Sequence, residues 1–381
     1  MSLSIRAVAT RADRRRFVDL LWEVYRDDPA WVPPLKAEEL ALIDQQKNPW
    51  FEHARAQLWL AERDGKVVGR VSAQVDRLVL EHMGPGTGLW GMLEALDGEV
   101  AAALMATAEE WLREEGMTRA LGPISLSIWD QPGLLIQGHD EPPTAMMGHH
   151  RRDYQGWLEA AGYAKARDLY TYALDIRIDM VPMIRRLIAS GERNRRIRLR
   201  PVDKGRFAEE AALILGILND AWSDNWGFVP LTDAEIAYAG KKLKPIIFED
   251  LVTVAEVDGQ PAAFMITIPD YNELIRDLDG RLFPLGWARL LWRLRRPRTR
   301  RMRVPLMGVV KALQGSRLAG QLAFMMIEKG RVASIEKYGA THGEFGWVLE
   351  DNQGMMSIAQ LPGARINKVY RVYEKELAAE A

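Results

Sequence analysis

Glu344, Glu350 and His342 crowd the last part of the chain, and each is a side chain that can take up a proton in catalysis. Tyr338 and Tyr370 flank them and can give one back. Upstream, the apolar run Met307-Gly308-Val309-Val310 leads into Lys311-Ala312-Leu313-Gln314-Gly315-Ser316-Arg317-Leu318-Ala319-Gly320. A strand that passes through a Gly-bearing turn into a helix leaves backbone N–H groups free at the helix start, and such groups hold anions. Asp351 and Asn352 precede a short helical pattern and are good caps whatever else they do, and Tyr370 fits core duty in a sheet as well as chemistry. In the first half, Ser127 and Asp130 lie in a Gly/Pro-rich loop and His149-His150 follow it. Two histidines without a third ligand do not make a zinc site, so no metal is expected. A chain with no cysteine has no thiol nucleophile, thiolate metal site or disulfide.

These groups need a scaffold of more than one domain. At 381 residues the chain suggests two or three. A net charge of −1 argues against binding nucleic acid through bulk charge. The amino terminus lacks the basic-then-apolar pattern of a signal peptide, and no run of about 18 apolar residues occurs. The expectation is a cytoplasmic protein.

Two passes of the same elements can be read. Residues 13–26 carry Phe17, Leu20, Leu21, Val24 and Tyr25 on one helical face. Asp64-Gly65 between two apolar runs marks a hairpin. A strand over 88–96 runs into Asp97, which caps a helix ending at Gly116. Strands are expected at 119–126, 144–147 and 168–175, with a helix at 153–161. The Arg-rich stretch 176–200 reads as a connecting helix, then the first strand of the second half. Asp258-Gly259 marks a second hairpin; strand 302–310, helix 316–329, strand 345–349, short helix 353–361 and strand 367–374 follow. Ala61–Gly65 matches Ala255–Gly259 at an offset of 194, Pro33 matches Pro230 at 197, and Tyr170 matches Tyr370 at 200. Three anchors in order at nearly one offset indicate duplication.

This order of elements, repeated, resembles the GNAT acyltransferase fold. The expected architecture is α/β (α+β): two tandem GNAT-like domains, each a mixed central sheet flanked by helices. Residues 1–178 form a degenerate copy and 179–381 the catalytic one. The closing Trp347–Asn352, short helix and Lys368–Glu374 resemble the end of many GNAT domains. The resemblance implies acyl-CoA as co-substrate, held by Met307, Val309, Val310, Gln314, Gly315, Ser316, Arg317, Ala319 and Asn352. Gln314 and Ala319 fit the family's loop, whereas Arg317 stands where the family has glycine. In the first half the strand enters its helix without a loop, and Asp97 and Glu99 would repel phosphate. The same resemblance gives the chemistry: a base drawn from Glu344, Glu350 or His342, an acid at Tyr370 or Tyr338, and an oxyanion donor at the Val309 or Val310 N–H. Ser127, Asp130, His149 and His150 are candidates to hold the acceptor.

Gly122–Ser127, Gly133–Gly138, Pro142-Pro143 and Met146-Met147 resemble a family of bacterial tandem-GNAT proteins that includes bacterial ceramide synthases. That resemblance implies N-acylation of a lipidic amine such as a sphingoid base. Alternatives are a small polar amine acceptor, an aminoacyl-tRNA donor, or a non-catalytic acyl-CoA sensor. Residues 281–303 hold nine arginines and no acid, so the rest of the chain carries −10. Arg289, Arg293 and Arg296 share one helical face, and Trp287, Leu290, Leu291 and Leu294 another. This suits a helix lying on an anionic membrane at the inner face, or equally one packed on the protein with its arginines in water. No stacking aromatic array accompanies it, so no nucleic acid is expected.

Overall fold

The computed structural model describes residues 2–360 and 363–377. The first stretch runs β1 (Leu3–Ala7), α1 (Arg11–Val24), α2 (Lys36–Leu42), β2 (Ala54–Arg63), β3 (Lys66–Asp76), α3 (Arg77–His82), β4 (Thr87–Ala95), α4 (Gly98–Glu114), β5 (Arg119–Gly122), β6 (Leu134–Gln137), α5 (Asp153–Ala160) and β7 (Ala164–Asp175). The second runs α6 (Pro182–Glu192), β8 (Ile197–Pro201), α7 (Phe207–Trp222), α8 (Asp233–Leu243), β9 (Val252–Val257), β10 (Gln260–Pro269), α9 (Tyr271–Ile275), α10 (Gly286–Arg295), β11 (Arg301–Val309), α11 (Arg317–Tyr338), β12 (His342–Leu349), α12 (Gln353–Gln360) and β13 (Arg365–Glu376).

The local chemistry explains the regular parts. Thr10 and Asp13 form a capping box at the start of α1. Asp64-Gly65 and Asp258-Gly259 all have positive φ, from 51° to 79°, the twist-matched geometry of two-residue hairpins.

All strands join one mixed sheet in the order β1-β2-β3-β4-β5-β13-β7-β12-β11-β10-β9-β8, with β6 beside β13. The order reads alike from either end, and the closing strands are exchanged. β13 pairs β5 of the first stretch, and β7 pairs β12 of the second. At the centre Val369 faces Tyr170 and Tyr370 faces Leu169. The two tyrosines that the repeat equates therefore sit in adjacent pairs, one on either side of a local two-fold.

Three elements differ from the sequence reading. Residues 144–147 are not a strand: Thr144 bonds Glu344 and the Ala145 amide donates to Asp270 at 2.9 Å, so side chains of the second half pin this segment. The strand of this region is β6, hidden in sequence by its glycine flanks. β5 stops at Gly122 because Pro123 has no N–H for the ladder. α11 runs through Gly330 to Tyr338 and ends at Gly339, φ 69°. Gly330 is a packing position, since a Cβ there would lie 2.8 Å from Met265 and 3.3 Å from Thr267. Leu361, the expected end of the short helix, lies outside the described residues.

Candidate active site

Two bulges part β11 from β12. On β10, Ile266 pairs with Leu306 and Ile268 with Arg303, so Val304 and Pro305 together face Thr267. The extra residue bends β11, and Pro305 supplies no N–H. The parallel ladder to β12 ends there, at Val304–Phe345. β12 in turn shifts register against β7 between Phe345 and Val348. Past that point the two strands diverge.

The alternation of a strand decides which amides face the gap. The Val310 N–H donates to Ala262 O at 2.9 Å, so Val310 faces β10 and is not free as an oxyanion donor. Val309 and Met307 then face the gap. Their carbonyls are taken by side chains rather than by β12: Gln314 Nε2 donates to Val309 O at 2.9 Å and Trp222 Nε1 to Met307 O at 3.1 Å. That leaves the Val309 and Met307 N–H groups pointing into the space between the strands.

A cavity of about 740 Å³ fills that space, within the roughly 300–1,000 Å³ range of small-molecule sites. One mouth lies at the start of α11, lined by Gln314, Gly315, Ser316, Ala319 and Gly320. Ser316 caps this helix, taking the Ala319 amide at 3.1 Å. The Arg317 and Leu318 amides are left for an anion, by the rule that a first helical turn has no internal acceptors. From Ser316 the lining continues along α11 to Ser334, a span of roughly 27 Å at 1.5 Å per residue. The far part is largely apolar, with Met265, Met302, Ile327, Leu174 and Ile176. Across the gap, Trp222, Trp226, Trp347 and Asn225 line the other face.

Of the bases expected from sequence, Glu344 alone lines the cavity. It is buried, accepts from Thr144 and from Asn367 Nδ2 at 2.7 Å, and lies 3.4 Å from the buried Arg303. Burial lowers the Arg303 pKa from its ordinary value. Glu350 instead caps the Asp168 amide at 3.2 Å and pairs with Lys165 at 2.5 Å. His342 bonds Thr341 at 2.7 Å at the start of β12. Tyr370 donates to Gly148 O at 3.0 Å within the core, and Tyr338 to Asp250 at 2.8 Å. No tyrosine is among the described lining residues; their hydroxyls are Thr267, Ser316 and Ser334.

Arg317 is exposed and turned toward Ser190, 3.4 Å away, leaving the helix mouth clear. Asn352 lines the cavity and also caps α12 through the Met355 amide at 3.0 Å. Ser127 donates to Asp130 at 2.9 Å; burial pushes that carboxyl up to about 6. Neither residue is among the cavity's lining, although the nearby Trp129 stacks on the lining Trp222. His149 bonds Asp28 at 2.8 Å, and His150 accepts from the Leu135 amide at 3.1 Å. Burial drops His150 to about 3, so it stays neutral. The sequence reading did not find Arg303, Thr144, Asn367 or the three cavity tryptophans. A proline inside the 302–310 strand pattern, Pro305, is a signal that the reading did not use.

The acetyltransferase (GNAT) family description matches residues 15–125. A bacterial ceramide synthase of Caulobacter vibrioides (strain NA1000 / CB15N) is 42% identical over 377 residues, 98% of both chains. Protein YghO of Escherichia coli (strain K12) is 40% identical over 377 residues, 98% of this chain and 95% of that one. A solved tandem GNAT protein from the clavulanic acid biosynthesis pathway covers all of both chains with a TM-score of 0.59 at 14% identity, a likeness of fold. The chain belongs to the tandem-GNAT acyltransferase family.

In this tandem GNAT the family description falls on the half whose gap is shut. β4 has the same bulge, with Met92 and Leu93 facing Val71. There, however, the Ile124 amide donates to Trp90 O at 2.7 Å, and a Cβ on Gly91 would lie 2.2 Å from Ile124 O. The residue after the bulge, Glu94, is only four positions before α4, against eleven from Leu306 to α11. No turn remains to cradle an anion, and Asp97 occupies the cap. Glu94 is itself buried between the Tyr25 and Tyr154 hydroxyls, each 2.8 Å from it. Burial raises its carboxyl from 4.5 to about 7, which at about 1.4 kcal/mol per pH unit makes its ionised native form costly by about 3 kcal/mol. That raised pKa favours the native state below pH 4.5, and the benefit is lost as pH rises through 7. Glu94→Gln should therefore raise the melting temperature at pH 8.5 and leave it nearly unchanged at pH 4.5. Equal shifts at both pH values would show that folding leaves the Glu94 pKa where it is in the unfolded chain.

Proposed function

We propose that this protein transfers a long-chain acyl group from acyl-CoA to the amine of a sphingoid base or a similar long-chain amine. The observation that carries the reading is one continuous cavity with an anion-binding helix start at one end, free strand amides in its middle and an apolar channel beyond. Each methylene buried in such a channel contributes about 0.8 kcal/mol, so a long chain suits it better than an acetyl group. The naming of the Caulobacter vibrioides relative as a ceramide synthase supports the same acceptor class.

In this reading the first-turn amides of α11 hold the pyrophosphate, and the Met307 and Val309 N–H groups face the thioester oxygen. Glu344, directly or through one water, takes the proton that the attacking ammonium must lose. The new C–N bond forms, the C–S bond breaks, and the second proton of the nitrogen passes to the departing sulfur, which leaves toward the α11 mouth as the CoA thiol. The amine approaches from the Trp222 and Trp226 side.

Purified protein with palmitoyl-CoA and sphinganine should release CoA thiol and form an amide of matching mass. With no cysteine in the chain, a thiol reagent reads only the product. Turnover of acetyl-CoA with a small polar amine, and none with palmitoyl-CoA and sphinganine, would overturn the lipid reading.

A further inference from the structure

In the insertion between β10 and β11, α10 is packed on the protein by one side. Leu290 and Leu294 of α10 face a cluster with Val32, Leu35, Leu274 and Leu278. Arg289 and Arg293 both reach Asp277. The helix is thus seated by one side, and the side left over should be polar. It is not: Trp292 is 74% exposed and Leu291 55%, and the preceding loop adds Phe283 at 81% and Leu285 at 71%. Exposed apolar side chains gathered in this way mark a binding surface. Around them Arg281, Arg295, Arg296, Arg298 and Arg300 are exposed and form no ion pair among the described residues.

The position of this patch is also informative. Arg300 O accepts the Thr341 and His342 amides, and Thr341 O accepts the Ile176 amide at 3.0 Å. The insertion therefore meets the ends of the central strands β11, β12 and β7, where Ile176, Ile178 and Met180 line the far end of the cavity. Ile178 is 66% exposed there. We infer that this end of the molecule docks on an anionic phospholipid bilayer, with Phe283, Leu285, Leu291 and Trp292 entering the interface and the unpaired arginines meeting lipid phosphates. Aromatic and aliphatic side chains among unpaired arginines match a negatively charged lipid surface. A protein interface of this kind would supply acidic partners instead. The docking stands independently of the acyl-transfer reading; its use for drawing a lipid substrate into the cavity rests on that reading.

The test is flotation of the full chain with vesicles of phosphatidylcholine alone or mixed equally with phosphatidylglycerol. Binding is expected to the mixed vesicles, weakened by salt. Loss of each arginine should cost roughly fivefold in partitioning, so Arg295→Ala with Arg298→Ala should cost more than tenfold. Trp292→Glu with Phe283→Glu should abolish flotation while the melting temperature holds. Flotation equal on both vesicle types, or unchanged in the variants, would overturn the docking. So would a solution dimer that Trp292→Glu converts to monomer, since a second copy would then cover the face. Failure of acyl transfer on detergent-dispersed substrate, with flotation intact, would sink the acyl-transfer reading alone.

Discussion

Glu344→Gln is expected to lower kcat by about 10²–10³-fold, the scale of a lost general base, with the KM for acyl-CoA nearly unchanged. The side chain keeps its size and its place beside Thr144 and Asn367 but no longer takes a proton. It also leaves Arg303 buried without its counter-charge, and breaking a buried pair costs about 3–5 kcal/mol. The rate must therefore be referred to folded protein, followed by circular dichroism. Glu344→Asp separates the two effects. It retains the charge beside Arg303 yet draws the carboxylate back from the cavity, so its kcat should fall while its melting temperature stays closer to that of the parent. A Glu344→Gln protein that folds and turns over normally would remove Glu344 from the chemistry.

Ala319→Glu should raise the KM for acyl-CoA by about 10–100-fold with little change in kcat. Ala319 lies in the first turn of α11 at the cavity mouth. An acid there favours the helix by about 0.3–1 kcal/mol, so stability should hold or rise slightly. The same negative charge opposes a pyrophosphate at the helix start. The first half offers the precedent, with Asp97 and Glu99 in the corresponding turn of α4. An unchanged KM would place the donor's phosphates elsewhere. Because the two variants act on different constants, one in kcat and the other in KM, their effects should combine multiplicatively.

The duplicated order of elements, the hairpins and the loop into α11 depend on residues near in sequence. Turn chemistry at Asp-Gly, the cap at Asp97 and the helix end at Gly116 act over a few positions. That is why they could be read directly. The same locality left the helix of 316–329 short of its end at Tyr338, because a glycine such as Gly330 that admits a neighbour looks like one that ends a helix until the neighbour is known.

The site obeys a different rule. Thr144, Asp270, Arg303, Glu344 and Asn367 come from widely separated stretches, and they meet because β7 and β13 change places across the local two-fold. Strand exchange depends on long-range pairing that no spacing encodes. The split between one open gap and one closed gap is likewise tertiary. Both halves carry the bulge, but only in the second does the neighbouring strand turn away rather than close with a backbone bond such as that from Ile124 to Trp90. By itself the sequence determined a repeated scaffold that resembles the acyltransferase family and the turn that leads into α11, since turns are short-range. Which carboxylate reaches the cavity, and which side of α10 stays bare, only the folded structure decided, because both depend on what packs against them.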